Sequence, residues 1–139
     1  MLEILFHHYN LIDSDMRVLI CGLGSIITNA LDYRLRKYGC KVLRAGNTTD
    51  ALSKIHAGYA DILVTSVNTE GYRLSTFIGL IKENLHSSMP IILVSEPEGD
   101  LNAVVEGIEA GADDFVTFPF KPSELVIRIE LLLHRYVNH

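Results

Sequence analysis

The chain has 139 residues and a mass of 15.5 kDa, which fits one compact domain around a single core. Hydrophobic residues make up 48%, which excludes a disordered chain. The formal net charge of -5 sets the surface against a phosphate backbone, so direct nucleic-acid binding is not expected.

Residues 1–15 form an N-terminal extension to the unit that follows. Leu2, Leu5, Phe6, Tyr9 and Ile12 fall at helical spacing, which predicts a short amphipathic helix. His7 and His8 are adjacent, a spacing that does not chelate a metal. The opening residues lack the basic start and small-residue cleavage site of a signal peptide. No apolar run reaches the roughly 18 residues a bilayer demands. The expected location is the cytoplasm, away from membranes.

From residue 16 to 139 strand-like and helical segments alternate. Arg17 to Cys21 is a short apolar strand, punctuated by Gly22 and Gly24. Ile26 to Tyr38 carries Ile27, Leu31 and Leu35 at helical spacing and ends at Gly39. Lys41 to Ala45 is a second strand. Thr48 or Thr49 caps a helix reaching about His56. Asp61 to Ser66 is the third strand, and Tyr72 to Leu85 a helix with Phe77, Leu80 and Ile81 on its buried stripe. Pro90 to Ser95 is the fourth strand. Asp100 caps a helix from Leu101 to Ala110, which Gly111 ends. Phe115 to Thr117 is a short fifth strand, and Lys121 to Tyr136 the last helix, with Pro122 in its first turn. Cys21 and Cys40 read as buried free thiols.

This (βα)5 rhythm, with near-continuous apolar strands, predicts an α/β doubly wound parallel sheet. Right-handed crossovers favour the flavodoxin-like strand order 2-1-3-4-5. Ligands on such sheets bind at the carboxyl ends of the strands, so the residues just after each strand carry the functional question.

Three stretches resemble one family. Asp61 to Gly71 resembles the third strand and following loop of a bacterial response-regulator receiver domain. Pro90 to Ser95 resembles its fourth strand, and Glu109 to Leu125 its helix-4 end, fifth strand and opening of helix 5. The resemblance runs from about residue 16 to 137. It implies a phosphorylation site made of an acidic pair, an acceptor aspartate, a Ser or Thr and a Lys, with Mg²⁺ held by the carboxylates. In this chain those positions fall on Gly22 and Leu23, Ser66, Ser95 and Phe118. Only Ser95 keeps the family's chemistry. Asn68 still offers the backbone carbonyl that the family uses toward its metal. A carbonyl and two hydroxyls hold Mg²⁺ poorly, and a serine without base or metal is a poor acceptor.

The expected function is therefore a degenerate receiver, or pseudo-receiver: a phosphorylation-independent signalling module that works by protein–protein contact. No catalysis, metal or cofactor is expected. Leu23 and Phe118 are expected to let an apolar pocket close. The resemblance implies a switch pair, Ser95 with Phe115, and a cis peptide before Pro119. On the last helix Leu125, Ile129, Leu132, Leu133 and Tyr136 form the stripe for the sheet. Ile127 and Leu131 fall on the other side among Arg128, His134 and Arg135. Ile127, Arg128, Leu131 and Arg135 are the interface candidates, for a signalling partner or a homodimer through this helix.

Two alternatives stand beside this reading. One is a receiver with an atypical phosphoacceptor. The other is a small nucleotide- or anion-binding domain, because a strand followed by Gly22-x-Gly24 and a helix opens a dinucleotide fingerprint. Its third glycine position is Ile27, and Arg44 after strand 2 is the residue that would meet a 2′-phosphate.

Overall fold

The computed structural model describes residues 16–86, 88–97 and 101–137, with side chains up to Leu133. The extension 1–15 and the expected cap Asp100 lie outside the described residues.

Five strands form one parallel sheet: β1 (Arg17–Cys21), β2 (Lys41–Ala45), β3 (Ile62–Ser66), β4 (Ile91–Ser95) and β5 (Asp114–Thr117). Their order is β2-β1-β3-β4-β5, the doubly wound, flavodoxin-like arrangement. The strands in the middle are covered on both faces. β1, β3 and β4 are accordingly apolar almost throughout, while the edge strands β2 and β5 alternate.

Among the described residues five helices cover the sheet: α1 (Ser25–Lys37), α2 (Thr48–His56), α3 (Leu74–Leu80), α4 (Leu101–Ala110) and α5 (Pro122–Val137). The side-chain period of 2 divides each strand between two cores. Val18 and Ile20 of β1 join Leu31 and Leu35 of α1 and Ile129 and Leu132 of α5. Leu19 and Cys21 point the other way, toward Ala51 and Ile55 of α2, Phe77 and Ile81 of the third helical segment, and Val104 of α4. Cys21 and Cys40 are free and buried, and burial pushes the Cys21 thiol up from its ordinary value.

Local chemistry shifts some boundaries. The cap of α2 is Asn47, not Thr48 or Thr49: its side chain accepts the Asp50 N–H at 2.8 Å. Thr48 is used elsewhere, accepting the Tyr72 N–H on its hydroxyl at 2.7 Å and donating its own N–H to the Glu70 carbonyl. That bond keeps Tyr72 in the loop, so α3 begins at Leu74. The helix then widens into a π turn over Ile81–Leu85. Its buried stripe is Leu74, Phe77, Ile78 and Ile81, a 3.6-residue period that leaves Leu80 half-buried at the side. On α5 the stripe of Leu125, Ile129, Leu132 and Leu133 faces the sheet, and the side chain of Tyr136 lies outside the described residues.

Candidate functional site

The carboxyl ends of β1, β3 and β4 and the loop after β5 meet at one edge of the sheet. Gly22 leaves β1 with a φ of 72° and donates its N–H to the Ala45 carbonyl at 3.0 Å. A Cβ at this residue would overlap the Thr69 hydroxyl. Residue 22 must therefore be glycine on two grounds, backbone conformation and space.

Thr69 is fixed by the end of β3. Its hydroxyl donates to the Ser66 carbonyl at 2.9 Å and sits 3.3 Å from the Thr65 hydroxyl. Ser66 is half-buried, and its Oγ accepts the Asn68 N–H at 3.1 Å. At the end of β4 the buried Ser95 hydroxyl lies 3.1 Å from the Thr117 hydroxyl, and its carbonyl accepts the Phe118 N–H at 2.9 Å. The Phe118–Pro119 peptide is cis, as the resemblance implies.

Gly22, Leu23, Ser66 and Phe118 line one cavity of about 600 Å³. Ser95 does not line it. In this structure the pocket stands open. Leu23 packs into the core shared by α1 and α5, and the Phe118 ring rests on Phe120 with centroids 4.9 Å apart. Each apolar replacement thus turns to a neighbour and leaves a hollow between them. The hydroxyl of Ser95 pairs with Thr117, two residues beyond the Phe115 of the switch reading, and Phe115 is 43% exposed.

Glu96 lines the cavity and escaped the sequence reading. Its signal was there, since it directly follows the Ser95 that ends β4. A Mg²⁺ site needs a cluster of oxygen donors, usually carboxylates. Here β1 supplies none, and the Ser66 hydroxyl already holds a backbone amide. Among the described residues no three or more His, Cys, Asp or Glu gather to hold a metal. The residues present do not fit the family's metal.

The dinucleotide alternative finds little support in the geometry. A Cβ on Gly24 would meet open space, so no close packing demands that glycine. Gly22 is explained by Thr69. Arg44 is engaged on α1, donating to Asn29 at 2.8 Å and Asp32 at 2.9 Å. The hollow beside it measures about 220 Å³, below the usual range for organic ligands.

On the far edge of the domain Ile127 is 38% and Leu131 57% exposed. They flank a groove of about 570 Å³ that Asp114, Ser123 and Glu124 also line. Arg128 is not an open positive rim. Its Nη1 donates to both Asp114 oxygens at 3.0 and 2.8 Å, and its Nη2 reaches Glu124 at 3.5 Å. The hydrogen bond to Asp114 holds its guanidinium above the ordinary value. The Arg135 side chain lies outside the described residues.

The profile of the response regulator receiver domain matches residues 18–130. The chain belongs to the response regulator receiver family. Receiver relatives include the sensory transduction protein RegX3 of Mycolicibacterium smegmatis, 31% identical over 118 residues, covering 85% of this chain and 50% of RegX3. The phosphate regulon transcriptional regulatory protein PhoB of Klebsiella pneumoniae is 28% identical over 120 residues, covering 86% of this chain and 52% of PhoB. This receiver therefore spans about half the length of these two relatives. Among solved structures, a CheY-like response regulator receiver domain protein from Methanospirillum hungatei superposes with a TM-score of 0.78. The match covers 87% of this chain and 95% of that one at 21% identity, a level that speaks for the fold alone. Among the described residues no helix is long and apolar enough to cross a membrane.

Proposed function

We propose that this receiver is a pseudo-receiver: a cytoplasmic, non-enzymatic signalling module that acts through protein contact without phosphorylation, cofactor or direct nucleic-acid binding. The observation that carries this reading is the state of the site. Four of the five chemical positions hold Gly22, Leu23, Ser66 and Phe118, and Thr69 stands where a side chain on residue 22 would begin. Phosphoryl transfer is positioning plus charge neutralisation, and these residues supply neither the carboxylates nor the cation.

The contact surface in this reading is the outer side of α5. Ile127 and Leu131 flank an apolar groove, and the Arg128–Asp114 pair fixes its rim. Such a patch suits a signalling partner or a second copy, with Arg135 one turn further along the helix. Ser95 and Phe115 serve here as fixed elements: the serine hydroxyl is tied to Thr117, and the ring faces outward beside the groove's strand.

The test is a titration of the full chain with Mg²⁺ and beryllofluoride, followed in ¹⁵N–¹H correlation spectra, beside treatment with acetyl phosphate followed by intact mass. Unchanged spectra and unchanged mass are expected. Localised shifts at Gly22, Ser66 and Phe118, or a stable phosphoryl adduct on Ser66, would establish a receiver with an atypical acceptor instead.

A further inference from the structure

The free edge at β2 carries a charge opposite to that of the whole chain. Among the described residues β2 pairs with β1 alone, so its other side is a sheet edge. Both charged side chains of this strand, Lys41 and Arg44, are positive and belong to exposed residues. Arg36 comes to the same edge from α1, where its Nη2 donates to the Val42 carbonyl at 3.2 Å. At about 3.3 Å per residue, the three cations stand along roughly 10 Å of strand.

One carboxylate answers two of them. Asp32 accepts from both Arg36 and Arg44, whose side chains stay 57% and 47% exposed. A single negative charge between two guanidiniums leaves one positive charge over. Lys41 enters no ion pair among the described residues.

The sequence sets this side of the domain apart. Residues 1–45 hold six of the 12 Lys and Arg and four of the 17 Asp and Glu, a local charge of +2. Residues 46–139 hold the other six bases and 13 acids, a charge of -7. Glu3, Asp13 and Asp15 of the extension are inside the first sum, so they do not cancel it. Charge on an edge strand also guards against stray pairing. A guard needs charge on the strand only, whereas α1 beside it adds Arg34, Arg36 and Lys37 against Asp32 alone. A positive surface on a chain of net -5 selects an acidic partner.

We propose that this edge docks an acidic segment of a partner protein, its carboxylates pairing with Arg36, Lys41 and Arg44. The segment rests on these side chains and does not add a sixth strand, because Arg36 already holds the Val42 carbonyl. A nucleic acid fits less well. Its evenly charged backbone runs past the cations toward the -7 of the other residues, whose repulsion reaches about 10 Å at about 0.1 M salt. An acidic protein segment ends where the cations end. None of Arg36, Lys41 and Arg44 lines the carboxyl-edge cavity or the α5 groove, so the proposal stands apart from the pseudo-receiver reading.

The probe is an acetylated, amidated hexapeptide of alternating glutamate and serine, titrated into the ¹⁵N-labelled full chain at about 50 mM salt. Its twin carries lysine in place of glutamate, and a short oligothymidylate of equal charge stands for nucleic acid. Saturable shifts are expected at Asp32, Arg36, Lys41, Val42 and Arg44, weakening at about 200 mM salt and absent with the lysine twin. Lys41→Gln should weaken the glutamate peptide about two- to fivefold, the size of one exposed ion pair. Asp32→Asn should tighten it by a similar factor, because the two arginines lose the carboxylate that competes with the peptide. A purely structural role for Asp32 would not tighten binding. Unchanged circular dichroism shows that each variant is folded.

Absence of shifts along β2, equal binding of the lysine twin, or a Lys41→Gln variant that binds like the parent would each overturn the proposal. So would the oligothymidylate binding as tightly as the peptide, or weaker binding by a folded Asp32→Asn variant.

Discussion

Gly22 and Thr69 come from different loops and meet above β1. Adding a Cβ to Gly22 forces a side chain into left-handed backbone and into the Thr69 hydroxyl. Gly22→Ala should therefore destabilise the domain by about 1–3 kcal/mol in urea unfolding. Thr69→Ala alone should cost about 1 kcal/mol, because its hydroxyl donates to the Ser66 carbonyl. The double variant should lose less than the two singles together, by about 0.5 kcal/mol or more, since the overlap is gone while the φ remains. Strict additivity would show that Thr69 is not the obstacle at residue 22.

The last helix carries two faces with opposite sensitivities. Ile129 is fully buried, and Ile129→Ala should cost about 2–5 kcal/mol of stability. Ile127→Glu with Leu131→Glu changes exposed positions and should cost under about 1 kcal/mol. The same pair of changes should lower self-association or partner binding, read by sedimentation equilibrium. Association that persists with the fold intact would remove this face from consideration. On α1, Asp32 accepts bonds from Arg36 and Arg44, and so ties the helix to β2. Burial alone would raise its carboxyl, but the hydrogen bonds from Arg44 and Arg36 outweigh that and hold it below its ordinary value. A carboxyl lowered in the folded state stabilises above its unfolded pKa of about 4 and stops doing so as pH falls through the lower folded value. Asp32→Asn should thus cost about 0.5–1 kcal/mol at pH 7, a modest figure because the arginines are half exposed and solvent screens them. The difference between variant and parent should shrink as pH falls below the unfolded value of about 4 and through the lower folded one, as urea unfolding across that acid range would show.

For the domain as a whole, ligand linkage gives a simple reading of the empty chemistry. A Mg²⁺ site with a Kd of about 1 mM would stabilise the fold by about 1.4 kcal/mol at about 10 mM Mg²⁺. In a domain of this size that raises Tm by roughly 4 °C or more. A melt with Mg²⁺ should instead move by less than about 1 °C. The parallel order was legible in the sequence, because the middle strands are apolar at nearly every position and helical periods separate them. The cap of α2 was not. Asn47, Thr48 and Thr49 are all good capping residues, and the choice turns on Tyr72, 24 positions away, claiming the Thr48 hydroxyl. The site positions Gly22, Leu23, Ser66 and Phe118 were placed by resemblance to the receiver motifs, which follow the strands. The open cavity was not, since it depends on the Phe118 ring resting on Phe120, and neither was Thr69, whose role exists only where two loops touch.

The contact between Gly22 and Thr69 gives the site a direction in evolutionary time. A side chain entering at position 22 meets the Thr69 hydroxyl first, so a substitution there is resisted by what its neighbour already holds. The order of steps is constrained: position 69 must shrink before position 22 can grow. The contact works as a ratchet, because what position 22 can accept depends on what position 69 has already become.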